Sequence, residues 1–263
     1  MEDLPMTTRA NRIAVVTGAG RGIGLAIVRA LVDDGFTVVA GSRTVTDALR
    51  DATPDAIEVD LGTADGPANL MRHALDRHGA IDLLVNNVAG ASTPAGGFLQ
   101  LDDDAWDHTF NMTFMSAVRA TRAALPSLLD RRGAVVNISS VNAKLAQPRL
   151  VAYSAAKAAM SNLGKALAEE FGGQGLRVNT ISPGPVWTDV WTSPGGAGDA
   201  LAQRAGVALE DFVDRIPAAL GLSTGQFAKP EEVAALVVFL ASGRAANMSG
   251  ADLVIDGGMV KTA

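Results

Sequence analysis

The alternation of short apolar strands with helix-length segments predicts an α/β fold, a doubly wound parallel sheet with helices on both faces. Three observations carry this. Runs rich in Val, Ile and Leu recur at 13–16, 37–40, 56–59, 81–85, 134–139, 177–181 and 253–255. Helical patterns lie between them at 24–33, 66–78, 103–129 with an interruption at Pro126, 152–171 and 231–241. The first strand runs into a glycine-rich turn, TGAGRGIG from Thr17 to Gly24, that opens the first helix. No internal repeat or low-complexity linker divides the 263 residues, so one domain spanning 1–263 is expected.

Residues 187–228 break the rhythm and are longer than an ordinary connection. Gly195, Gly196 and Gly198 would permit hinge motion, and Trp187, Trp191 and Phe212 would contact substrate, so the segment reads as a lid before the last helix. It also reads as a pair of surface helices whose apolar face packs on the body.

Composition excludes several chemistries. With 48% hydrophobic and 19% charged residues the chain suits a compact globular protein. It has no cysteine, which removes disulfides, thiolate nucleophiles and sulfur-ligated zinc. The three histidines, His73, His78 and His108, form no zinc-binding helical pair, and no metal is expected. A net charge of −6 disfavours nucleic acid and anionic membranes as partners. The opening MEDLPMTTRANR lacks a signal-peptide core, and the longest apolar run, 233–241, is about half a membrane span. A soluble, cytoplasmic protein acting on a small molecule is the expectation.

In the glycine turn, Gly18, Gly22 and Gly24 follow a strand and open a helix, the context of a dinucleotide loop. Missing Cβ atoms allow a sharp turn and a close approach to a pyrophosphate, and the helix N-terminus offers free N–H groups. A plain tight turn would show the same triplet. Arg21 and Ile23 complete the loop as cofactor contacts. The second strand ends in Ser42 and Arg43, where an NAD enzyme usually has an acid for the adenosine ribose. Two guanidinium groups, Arg21 and Arg43, could reach a 2′-phosphate, so NADP(H) is expected over NAD(H), unless both are simply solvated. Asp60, followed by Leu61, ends the third strand and suits the adenine amino group, or a turn.

The single tyrosine, Tyr153, stands one helical turn before Lys157. A nearby ammonium would lower a phenol's pKa from about 10 toward the range useful for proton transfer. Ser140 ends a strand thirteen residues before Tyr153, at the carboxyl edge of the sheet, where its hydroxyl can bind a carbonyl oxygen. Ser139 competes for that role on sequence alone.

Taken in order, TGAGRGIG, NNVAG (86–90), Asn111, Ser140, YSAAK (153–157), PGPVWT (183–188) and DGG from Asp256 resemble the classical short-chain dehydrogenase/reductase family over essentially the whole chain. The resemblance implies a Rossmann-type fold and hydride transfer between a nicotinamide and a carbonyl or secondary alcohol. It implies Tyr153 as general acid and base, and Lys157 as its pKa-lowering partner and holder of the nicotinamide ribose. Ser140 would orient the carbonyl, and Asn111 would hold a water linking Lys157 to solvent. Pro183, Gly184, Val186 and Thr188 would clamp the nicotinamide, and Asn87 would touch the cofactor. The family usually has Asn-Asn-Ala-Gly, whereas here Val88 and Ala89 precede Gly90, so a methyl replaces the expected glycine and the loop is expected to run differently.

A mainly apolar ketone, of cyclic or aromatic type, is the expected substrate. Its pocket would be lined by Val141, Asn142 and Lys144 after Ser140, by Ala91 to Thr93, and by Trp187, Trp191 and Phe212. Two alternatives remain at this point. A 3-oxoacyl-carrier-protein reductase would dock its acidic carrier on Arg131 and Arg132, although Gln174 replaces the basic residue typical of the second docking position. A non-catalytic NADP-binding sensor or scaffold would have no need of the proton relay. The resemblance also implies a homo-oligomer, tetramer or dimer, formed through the long helix at Asn111 and the helix of Tyr153.

Overall fold

The computed structural model describes residues 11–90, 97–145 and 147–261. Its strands are β1 (Arg12–Thr17), β2 (Phe36–Ser42), β3 (Asp55–Glu58), β4 (Leu83–Asn86), β5 (Ala134–Ile138), β6 (Arg177–Pro183) and β7 (Asp252–Ile255). The helices are α1 (Gly22–Asp33), α2 (Asp47–Ala52), α3 (Gly66–His78), α4 (Asp103–Phe110), α5 (Ser116–Asp130) and α6 (Val151–Phe171). They continue with α7 (Asp189–Thr192), α8 (Ala197–Ala205), α9 (Leu209–Phe212), α10 (Ile216–Ala219) and α11 (Pro230–Ala241).

All strands pair in parallel, in the order β3-β2-β1-β4-β5-β6-β7. This is the doubly wound sheet that the strand and helix pattern predicts. Successive residues of β1 show why both faces are covered. Ala14 and Val16 join the core with α1 and α11, while Val15 joins the opposite core with α3 and α5. The chain order reverses between β1 and β4, so the loops after these two strands splay apart into a crevice at the carboxyl edge. TGAGRGIG follows β1 and NNVAG follows β4, which puts both motifs at that crevice.

Three expectations on local structure change. The long helix is broken at Asn111–Met115, a π-helical turn between α4 and α5 in which the Ser116 N–H reaches back to the Asn111 carbonyl. Pro126 sits inside α5 and does not interrupt it. The short helix α2 is unanticipated; Thr46 caps it by accepting from the Leu49 N–H at 3.3 Å. Segment 187–228 holds four short helices, α7 to α10, where two were considered. Among the described residues, no helix is long and apolar enough to cross a membrane.

Candidate active site

The glycine loop is shaped by contacts that leave no room for side chains. Gly18 has φ +67°, and a Cβ there would lie 2.8 Å from the Val88 Cα; at Gly24 a Cβ would lie 2.3 Å from the Gly18 carbonyl oxygen. Arg21 precedes the first turn of α1 without a side-chain cap, so the N–H groups of that turn are open to an anion. A bare loop pressed against the β4 loop and aimed by a helix N-terminus fits a dinucleotide pyrophosphate. Ile23 packs its side chain on the core behind the loop.

Asn87 lies under this cradle. Its Nδ2 donates to the carbonyls of Thr17 at 2.9 Å and Gly18 at 3.0 Å, so its amide donors brace the loop from below. Thr17 ties the same junction: its hydroxyl donates to the Val85 carbonyl and accepts from the N–H groups of Asn87 and Val88. Sequence reasoning passed over Thr17, although a threonine at the last position of β1 was visible. Ala89, which stands where the family has glycine, is exposed, while Gly90 packs against Met112, where a Cβ would come within 2.9 Å of Cγ.

At the end of β2, Ser42 faces the glycine loop, with its Oγ 2.5 Å from where a Cβ on Gly20 would stand. Arg43 is exposed. Arg21 is also exposed and pairs at 3.8 Å with Asp189 of α7. Asp60 uses one carboxylate oxygen to accept from the Gly62 N–H at 2.9 Å, the turn role considered for it. The Leu61 side chain is buried in the core, which leaves only its backbone to face the crevice.

The end of β5 brings the reactive side chains together. Ser139 turns its hydroxyl to the Lys157 carbonyl and to Ser161 at 2.7 Å, both on α6. Ser140 turns the other way; its Oγ accepts from the Asn142 N–H at 3.1 Å and shares a hydrogen bond with Tyr153. Of the two serines, only Ser140 meets the phenol. Lys157 is buried beneath, its Nζ donating to the Ile138 carbonyl at 2.6 Å and lying 5.7 Å from the Tyr153 ring centroid. Burial lowers its pKa to about 7.

One expectation for this centre needs correction. Burial raises the Tyr153 pKa, and the Ser140 hydrogen bond only opposes that shift, so the phenol is not lowered by the amine in this geometry. The reason is that Lys157 points its amine at Ile138 and is itself close to losing its proton near neutrality. Asn111, at the π turn, donates to the Asp107 carbonyl at 2.9 Å and accepts from Arg119 at 3.0 Å. Its side chain and that of Lys157 are thus engaged with different partners.

The loop after β6 is pinned on both sides. Gly184 approaches the DGG turn so closely that a Cβ would lie 2.8 Å from the Asp256 Cα, and its N–H donates to the Ile255 carbonyl. Pro183 ends β6 in the buried interior. Val186 bridges to Ala228, and the Thr188 hydroxyl donates to the Val186 carbonyl at 3.2 Å. Thr188 also faces the glycine loop, its Cγ2 3.3 Å from where a Cβ on Gly22 would stand.

The expected substrate residues divide. Asn142 stays beside Ser140, but Val141 is buried and Lys144 forms an ion pair with Asp252 at 3.2 Å, turned toward β7. Trp187 and Trp191 both pack on Phe227, with ring centroids 5.3 and 5.5 Å apart. Trp187 and Phe227 line a cavity of about 480 Å³ with Pro217 and Lys229, and neither Ser140 nor Tyr153 lines it. Ala91 to Thr93 lie outside the described residues. Arg131, considered as a carrier-docking cation, instead donates through Nε and Nη2 to the fully buried Asp82 at 2.8 and 3.2 Å.

Comparison with known proteins agrees with this geometry. A family model described as enoyl-(acyl carrier protein) reductase matches residues 18–260. Cis-4-hydroxycyclohexanecarboxylate dehydrogenase of Sinomonas cyclohexanicum is 36% identical over 257 residues, covering 95% of this chain and 96% of that protein. The 2,3-dihydroxy-2,3-dihydro-p-cumate dehydrogenase of Pseudomonas putida is 35% identical over 257 residues, covering 94% and 93%. L-sorbose reductase of Gluconobacter frateurii, solved with NADPH and L-sorbose, superposes with a TM-score of 0.88 at 29% identity, covering 97% of this chain and 98% of that one. With a family match across nearly its whole length, the chain belongs to the short-chain dehydrogenase/reductase family, as an oxidoreductase acting between CH–OH and C=O groups.

Proposed function

We propose that this protein is an NADP(H)-dependent ketoreductase of mainly apolar, cyclic ketones and the matching secondary alcohols, with Tyr153 as general acid and base. The observation that carries the reading is the Ser140–Tyr153 hydrogen bond at the carboxyl edge of β5, with the Lys157 amine beneath it. NADPH in the related L-sorbose reductase, together with Arg43 after β2 and Arg21 in the glycine loop, supports the cofactor. Two of the relatives are named for six-membered carbocyclic substrates, which supports the ring.

The bound cofactor supplies the hydride; this chain positions the carbonyl and supplies the proton. Gly18, Gly22, Ile23 and Gly24 would hold the pyrophosphate side, and Arg21, Ser42, Arg43, Asp60 and the Leu61 backbone the adenosine and its 2′-phosphate. Val186 and Thr188 would hold the nicotinamide, in the loop begun by Pro183 and Gly184. Burial keeps the Tyr153 phenol protonated at neutral pH, the form required to protonate a carbonyl oxygen. Ser140 hydrogen-bonds that same oxygen and aligns it with the phenol. Lys157, with a pKa of about 7, can return a proton to the phenolate and exchange it in the neutral range. Asn111 would hold the water through which that proton is replaced. With NADP(H) as cofactor, ketone reduction is the direction this reading assigns.

Commitment of Arg131 to Asp82 weighs against a carrier-protein substrate, which requires a free basic patch there. The test is consumption of NADPH by purified protein with a panel of cyclic and open-chain ketones. Turnover of cyclic ketones is expected, faster than with NADH. Tight NADPH binding with no carbonyl accelerating its oxidation would overturn the reading in favour of a sensor. A homo-oligomer packed through α5 and α6 belongs to the same reading, and a monomeric mass in dilute solution counts against it.

A further inference from the structure

We propose that Asp189 is a specificity-determining residue for the cofactor: by holding Arg21 toward the lid, it restrains the preference for NADP(H) over NAD(H). The inference rests on the NADP(H) reading above.

Arg21 stands at a fork. The residue before it, Gly20, presses on Ser42 at the end of β2, and the residue after it, Gly22, faces Thr188 at the start of the lid segment. The guanidinium arm therefore starts between the adenosine end and the lid end of the crevice and can extend to either. It extends to the lid, with Nη1 3.8 Å from Asp189 Oδ2. Both side chains are well exposed, 78% and 62%, so the pair is weak and can be exchanged.

A 2′-phosphate beside Ser42 and Arg43 would be the stronger partner, being doubly charged and able to accept two guanidinium N–H groups. Arg21 must leave Asp189 to reach it. The lost ion pair is charged against NADP(H) alone, because NAD(H) has no group to draw Arg21 away. Asp189 touches neither Ser140 nor Tyr153 and acts only through Arg21, so it is a positioning residue.

The test is a double-mutant cycle on dissociation constants for NADPH and NADH, read by fluorescence titration of the full chain. Asp189→Asn, which preserves shape at an exposed site, is expected to tighten NADPH about threefold and leave NADH unchanged. In an Arg21→Ala background the same substitution should leave the NADPH/NADH ratio untouched. An equal change for both cofactors, no change in the ratio, or a ratio change that persists without Arg21 would overturn the inference. Wild-type protein that prefers NADH would remove the NADP(H) reading and this inference with it. Wild-type protein that prefers NADPH while Asp189→Asn has no effect removes this inference alone.

Discussion

The Lys157 amine donates to the Ile138 carbonyl at 2.6 Å, joining the middle of the first half of α6 to the last residue of β5 in a site from which water is excluded. The bond satisfies one of three ammonium N–H groups and leaves the charge poorly solvated, which is why the pKa falls to about 7.

That shift makes stability depend on pH. Between about 7 and the ordinary lysine value of 10.5, the unfolded chain holds a proton at this position that the folded chain has released. Stability therefore rises with pH through that window and is lowest, as far as this group is concerned, below it. Lys157→Met should abolish the slope and raise the melting temperature at pH 7 while eliminating turnover. Melting curves from pH 6 to about 10 would check it, with an unchanged slope counting against a buried amine.

Tyr153→Phe removes the phenol proton and keeps the ring. Turnover should fall by about a thousandfold or more, within the range of general acid catalysis, while NADPH binding changes by less than about twofold. Ser140→Ala should lower kcat by about a hundredfold through loss of one donor to the carbonyl oxygen. Ser139→Ala, whose hydroxyl faces α6, should leave kcat within about threefold of wild type and act mainly on stability.

Gly24→Ala places a methyl 2.3 Å from the Gly18 carbonyl oxygen and 2.6 Å from Asn87 Nδ2, both parts of the cradle's frame. The loop must shift, and dissociation constants for both cofactors should rise by at least about tenfold. Isothermal titration would check it, and equal affinity in mutant and wild type would mean the cradle is not a phosphate site.

Far from the crevice, Asp55 at the start of β3 receives Nε2 of His73 at 2.7 Å, Nε2 of His78 at 2.6 Å and Nε of Arg77 at 3.1 Å. Burial alone would raise the carboxyl pKa, but the hydrogen bonds from both histidines, with the charges of His73 and Arg77, outweigh it and hold the value below 3.8. The stabilisation is present above the ordinary carboxylate value and is lost as pH falls through the lowered one. Asp55→Asn should destabilise the protein by about 1–3 kcal/mol at pH 7 and flatten the acid limb of denaturation. Urea midpoints at pH 7 and pH 3 would measure both.

The cradle and the Tyr153–Lys157 pair were legible because their elements are local: a glycine-rich turn between a strand and a helix, and a four-residue spacing on one helix. Other positions were misread or left open because their partners are remote in the chain. Arg131 looked like a free surface cation until Asp82, 49 residues earlier, proved to be its buried partner. Asn87 is a cofactor contact by the resemblance alone, and its bracing bonds to the Thr17 and Gly18 carbonyls, about 70 residues back, are visible only in the fold. The sequence places the interruption of the long helix at Pro126, whereas the break lies at Asn111–Met115, since backbone hydrogen-bond registers leave no reliable mark on residue type.

Periodicity and spacing in the sequence alone determined the α/β class, the order of the motifs and the identity of the one phenol, since each depends on neighbours within a few residues. Only the tertiary structure decided which serine meets that phenol, which way Arg21 extends and where the Lys157 proton is held. Those choices depend on the face each side chain turns to a distant strand or helix, and on how far that contact removes it from water.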